Sequence, residues 1–159
     1  MRYIVKRWDH AVMAGKEPNI GPTARTVAQN VKRWREIRNM SYSQLSDKLT
    51  TDAAWLINPV GIRRIETGER RVTPDDLTAL AAALRISPIT LLMPGLPDAD
   101  NPIEMVEVTG MDAKVQASKL WKWLVGEMSL TSGRALSFIE DATPRWEHAK
   151  WIKDTPDGW

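Results

Sequence analysis

Asn58-Pro59-Val60-Gly61-Ile62-Arg63-Arg64-Ile65-Glu66-Thr67-Gly68-Glu69-Arg70-Arg71 carries proline near its start and glycine toward its end. Pro59 suits the first turn of a helix, where its missing N–H would have had no intrahelical partner. Gly68 accepts the left-handed conformation with which many helices terminate. Between them Ile62 and Ile65 lie three residues apart and share a face, which turns Arg63 and Arg64 outward by helical geometry alone. A short helix with an apolar back and a basic front is expected here.

Working outward, Val27, Val31, Trp34 and Ile37 recur at steps of three and four from Thr23, the stripe of an amphipathic helix with Pro22 just before it. This helix should stop near Asn39, and Ser41 is a good N-cap for a second, short helix carrying Leu45 and Leu49. Thr50 to Asn58 shows no clear period. Downstream, Thr73 caps Pro74, Asp75 and Asp76, whose carboxylates suit the positive end of a fourth helix with Leu77, Leu80, Ala81 and Leu84 inward. Ser87-Pro88 repeats the signal for a fifth helix with Ile89, Leu91 and Leu92, ended by Pro94, Gly95 and Pro97. The Pro- and Asp-rich Leu96 to Pro102 reads as a linker. Ile103 to Thr109 alternates like a strand or extended segment, and helices are expected over Asp112 to Met128 (stripe Val115, Leu120, Trp123, Leu124) and Ser132 to Asp141. Trp121 and Trp123 cannot share a helix face, so one of them should be exposed or at an interface. The division expected is an N-terminal arm (1–21), a helical domain (22–95), a linker or extended segment (96–110) and a helical C-terminal region (111–159).

The chain of 159 residues contains no cysteine, which excludes disulfides, thiolate zinc sites and a cysteine nucleophile. His10 and His148 stand alone without metal-site spacing, so no metal and no cofactor is expected. No cluster of acid, base and nucleophile stands out, so no catalytic residue is assigned and an enzyme is not expected. The first twenty residues lack an apolar run that could anchor or export the chain, which points to the cytoplasm and to no membrane contact. Net charge is only +2, but it is unevenly spread. Pro22 to Thr73 holds ten basic against five acidic residues, whereas Pro74 to Gly110 holds Arg85 against six acidic residues. One face suited to a polyanion follows from that asymmetry.

The motifs Val31-Lys32-Arg33-Trp34-Arg35-Glu36-Ile37-Arg38, Ser41-Tyr42-Ser43-Gln44-Leu45-Ser46, Ile65-Glu66-Thr67-Gly68-Glu69-Arg70-Arg71 and Leu77-Thr78-Ala79-Leu80-Ala81-Ala82-Ala83-Leu84 with Ser87-Pro88 resemble the lambda-repressor-like, or Xre, helix-turn-helix family. The resemblance covers about Val27 to Leu92, less than half of the chain. It implies an all-α fold: a five-helix DNA-binding domain with a mainly helical C-terminal appendage. It also implies that the third helix enters the major groove while the second crosses the phosphates.

On the matching positions Asn58, Pro59, Val60, Gly61 and Arg64 would face bases, with Arg64 suited to the two acceptors of guanine. Tyr42, Gln44, Arg63, Arg70 and Arg71 would meet phosphates, and Arg35 and Glu66 would form an internal ion pair. The joint Thr50 to Ile57, with Trp55, departs from the family's shorter turn and is of a kind familiar among actinobacterial and phage relatives. The function so implied is sequence-specific transcriptional regulation, as by a phage immunity repressor, through a homodimer on a palindromic double-stranded DNA operator. The alternative is an antitoxin-like adaptor whose C-terminal region binds a protein and whose DNA binding is secondary. The N-terminal arm, with Arg2, Lys6 and Arg7, either tracks DNA or packs Tyr3, Ile4 and Trp8 on the core.

Overall fold

Pro22 opens α1 (Pro22–Ile37), and four further helices follow it closely: α2 (Tyr42–Ala53), α3 (Pro59–Glu66), α4 (Pro74–Leu84) and α5 (Pro88–Leu92). Strands β1 (Met105–Val106) and β2 (Val115–Gln116), then α6 (Ala117–Leu124) and α7 (Leu136–Ala142), come after them. This computed structural model describes residues 20–95, 101–131 and 136–148. The expectations for the N-terminal arm and for most of the Leu96 to Pro102 linker lie outside these residues. The fold is all-α apart from the small antiparallel ladder, in which Met105 faces Gln116 and Val106 faces Val115. No helix among the described residues is long and apolar enough to cross a membrane.

The caps explain why the helices start where they do. Ser41 and Gln44 form a capping box on α2, and Thr73 and Asp76 form another on α4; each satisfies two otherwise unpaired N–H groups. Ser87 caps α5 through the Ile89 N–H at 3.3 Å. The first helix has no side-chain cap of its own. Instead Thr109, far along the chain, exchanges hydrogen bonds with Thr23: the Thr109 N–H donates to Thr23 Oγ1 at 3.0 Å and the Thr23 N–H to Thr109 Oγ1 at 3.3 Å.

One core unites α1 to α5 through Val31, Leu45, Leu49, Ile62, Ile65, Leu80, Leu84 and Leu91, all fully buried. Asn30 is buried with them and donates from Nδ2 to the carbonyls of Leu91 (3.0 Å) and Met93 (2.8 Å), tying α1 to the end of α5. The stripe of α1 differs from expectation at one end. Ile37 is 47% exposed and Arg35 is buried, because the stripe continues from Val31 by four residues to a guanidinium whose partner lies inside.

A second core joins Met93 to Val106, Val108, Ala117 and Leu120. Val106 and Val108 thus pack against the end of the helical domain, and within Ile103 to Thr109 the pair Met105 and Val106 does find another strand. The expected helix over Asp112 to Met128 is corrected: Val115 and Gln116 form β2, so only Ala117–Leu124 is helical. Trp121 and Trp123 are both exposed, which leaves Leu120 as the large side chain of α6 that is buried in this core.

Leu45→Ala should cost about 2–5 kcal/mol, because it empties space at the centre of the main core. Urea unfolding of the full chain checks this, and a cost below about 1 kcal/mol would contradict the assigned core.

Candidate nucleic-acid interface

The joint between α2 and α3 is shorter than the sequence implied. Thr50 to Ala53 complete α2, and the turn itself is only Ala54 to Asn58. Ala54 adopts the left-handed conformation (φ 49°) without being glycine, a strain of roughly 1–2 kcal/mol. Several contacts hold it there. The Trp55 N–H donates to the Leu49 carbonyl at 3.0 Å, Ser46 Oγ donates to the Ile57 carbonyl at 2.8 Å, and Ile57 is buried. Asn58 then caps α3, its Oδ1 accepting the Gly61 N–H at 2.7 Å.

The inner face of α3 is clamped to α1. Arg35 Nε donates to Glu66 Oε1 at 2.6 Å and its Nη2 to Oε2 at 2.8 Å, a two-pronged bridge with the Glu66 side chain only 2% exposed. The same guanidinium donates from Nη1 to the Met40 carbonyl at 2.9 Å and lies over the Tyr42 ring, 4.4 Å from its centroid. The hydrogen bond to Glu66 holds Arg35 above its usual pKa despite the opposing effect of burial. One side chain thus fixes the end of α1, the start of α2 and the end of α3.

Behind the turn lies a second hub, built on a residue that sequence reading assigned only to the α4 dipole. Asp76 is 2% exposed. Its Oδ1 accepts Trp55 Nε1–H at 2.9 Å, Arg70 Nη2 reaches both oxygens at 3.2 and 3.1 Å, and the Thr73 N–H donates to Oδ2 at 3.2 Å. Burial pushes the Asp76 carboxyl up, but the Trp55 and Thr73 hydrogen bonds and the Arg70 charge outweigh it and hold the pKa below the ordinary value. A buried carboxylate with no local sequence pattern linking it to Trp55 gives no signal before the fold is known.

The expected contact residues separate into two groups. Val60, Arg63 and Arg64 are exposed on α3, with Arg64 loosely paired to Glu69 at 3.7 Å. Asn58 and Arg71 are exposed beside them, and Pro59 is half-buried. Gly61 departs from expectation because it is buried beneath the first turn, where a Cβ would come within 2.9 Å of Arg70 Nη1 and 3.0 Å of Ile57 Cγ2. Arg70 is half-buried, with its Nη2 engaged by Asp76. At the head of α2, Gln44 spends its N–H and Oε1 on the capping box, and Tyr42 stacks on Arg35.

Other bases of the basic stretch also serve the framework. Arg38 donates from Nε to the Leu84 carbonyl and from Nη2 to the Arg85 carbonyl at 3.3 Å, at the negative end of α4. Arg25 lies 3.8 Å from Glu107. An apolar groove of about 620 Å³ lined by Val27, Leu77, Leu92, Val108 and Leu120 draws no residue from α3 or its turn.

A short exposed helix, set by a tight turn against a preceding helix and carrying two outward arginines, is the geometry of a helix-turn-helix DNA-binding domain. Residues 31–91 match the model of the helix-turn-helix family, and this segment is a lambda-repressor-like (Xre) helix-turn-helix domain, the domain of DNA-binding regulators. No curated protein and no solved structure matches the chain.

Arg35→Met should destabilise by about 3–5 kcal/mol, since it strands the Glu66 carboxylate. Arg35→Met with Glu66→Leu should recover most of that loss in urea unfolding, and a double variant no better than the single one would contradict the bridge as described. For Asp76 the folded pKa is depressed, so its contribution is present above the unfolded value of about 3.9 and fades as pH falls through the lower folded value. The stability gap between the parent and Asp76→Asn should accordingly be wide at neutral pH and shrink well below pH 4; a gap independent of pH would contradict the hub.

Proposed function

We propose that this chain is a sequence-specific transcriptional regulator that occupies a palindromic operator as a homodimer and represses transcription there, in the manner of a phage immunity repressor. The observation that carries the reading is the division of α3. Its inner side is locked by Glu66, Ile62 and Ile65, while Val60, Arg63 and Arg64 face outward. A rigid helix that holds unburied arginines at fixed positions is suited to reading a groove.

In this reading Arg64 addresses guanine through O6 and N7. Asn58, with its Nδ2 donors uncommitted to the cap, joins Pro59 and Val60 at the tip of the helix. Arg63 and Arg71 meet phosphates, as do Tyr42 and the side-chain Nε2 of Gln44 at the head of α2. Gly61 and Arg70 act indirectly, the first by allowing close packing and the second by bracing the loop after α3. Two-fold pairing doubles the base pairs read and matches an inverted repeat.

Exposed apolar residues of the C-terminal segment, Ile103, Met105, Trp121, Trp123 and Trp146, favour a second reading as well. They suit a protein contact, either with the second copy or with the partner of an antitoxin-like adaptor. A foreign protein co-purifying in stoichiometric amount would favour the adaptor.

Selection of bound duplexes from a random pool, followed by titration of the winner and a scrambled duplex at two salt concentrations, tests the proposal. Inverted half-sites are expected to be enriched, with affinity falling steeply with salt as counterions are released. Arg64→Ala should narrow the gap between winner and scrambled duplex by about 1–3 kcal/mol. Binding without any enriched motif would overturn sequence-specific regulation.

A further inference from the structure

The backbone of the first turn of α3 has few hydrogen-bond donors to offer base edges. Pro59 has no N–H, the Gly61 N–H is taken by Asn58 Oδ1, and the Ile62 N–H by the Asn58 carbonyl at 3.0 Å. What the turn presents instead is Val60, 58% exposed. Ile62, Ile65 and Glu66 are turned inward, so the other large side chains on the outer side of this helix are the arginines at 63 and 64. An aliphatic side chain at that place can neither donate nor accept a hydrogen bond. The major groove offers one apolar feature for it, the C5-methyl group of a pyrimidine.

The geometry points to Val60 as a methyl reader: it recognises the C5-methyl of thymine, or of 5-methylcytosine, near the guanine read by Arg64. The inference rests on the DNA-binding reading above and names the base chemistry that the same face requires. Val60 and Arg64 stand four residues apart and so share one face of α3. Their separation along the axis is about 6 Å, against a rise of about 3.4 Å per base pair. The two contacts thus fall within about two base-pair steps of each other. Valine is also stiff at χ1 in a helix, so its two methyl groups reach the groove already oriented and lose little freedom on contact. Leu56 is still more exposed, at 77%, but it precedes the helix and so lies outside the face that Val60 shares with Arg64; the assignment is therefore to Val60.

Fluorescence anisotropy with the full chain and the selected duplex tests this, using duplexes in which each thymine of a half-site is replaced singly by deoxyuridine. One replacement, within two base pairs of the guanine, should weaken binding about fourfold, the worth of one buried methyl-sized group. Val60→Ala should weaken binding to the thymine duplex by a similar factor and show no further loss with deoxyuridine, whereas Arg64→Ala should keep the methyl dependence. Where the selected base is cytosine, methylation at C5 should strengthen binding by the same factor, which separates the two sources of the methyl. Because Val60 is exposed and alanine is the better helix former, the variant is expected to fold, and circular dichroism checks that it does. An enriched motif whose deoxyuridine duplexes all bind like the parent, or losses that simply add, would overturn the methyl assignment while leaving DNA recognition intact. No enriched motif at all would overturn both.

Discussion

Arg35 and Glu66 stand 31 residues apart in sequence on different helices, and both would be costly to bury singly. Together they share two short hydrogen bonds, and Nη1 of the guanidinium donates to the Met40 carbonyl. A pair of this kind contributes little net stability over an apolar replacement, but it tolerates few arrangements, because a small displacement strands two charges. Its consequence is orientational. With Glu66 anchored at the last turn of α3, the rotation of that helix about its own axis is set, and so are the directions in which Val60, Arg63 and Arg64 point.

The opposite end of α3 is set by the turn and by Asp76. Trp55 closes the turn and Arg70 braces the loop that leaves α3, and both reach the same carboxylate at the head of α4. The exposed helix is thus held at its exit by α1 and through its flanking loops by α4. Rigid support of a binding face limits the ordering cost of association. The C-terminal segment adds a further tie, since Thr109 supplies the capping contacts that Gly21 cannot give to α1.

Much of the helical domain was legible because its signals are local. Pro59, Thr73 and Ser87-Pro88 mark starts, Gly68 marks an end, and the apolar periods supply the inward faces. Resemblance to a known family supplied the Arg35–Glu66 pair, which no spacing rule would yield. What escaped depends on contacts between distant residues. Ala54 takes the left-handed conformation only because Leu49, Ser46 and Ile57 hold the chain around it, so the last turn of α2 looked like loop. The burial of Gly61 and the tie of Arg70 to Asp76 escaped as well, because helical position alone shows neither the close approach of Ile57 nor the buried charge of Asp76. In the C-terminal segment, Val115 has the apolar character of either a helix or a strand. Its pairing with Val106 decides the matter.

The central claim is that the face of α3, set by these internal ties, is the surface that meets DNA. Titration of the isotopically labelled full chain with duplex DNA, followed by backbone amide chemical shifts, addresses it directly and does not require the operator sequence. The largest shifts are expected at the head of α2, over Ser41 to Gln44, and from Asn58 through Arg64 to Arg71. Shifts confined to residues 101–131, with α3 unmoved at saturating DNA, would contradict the account.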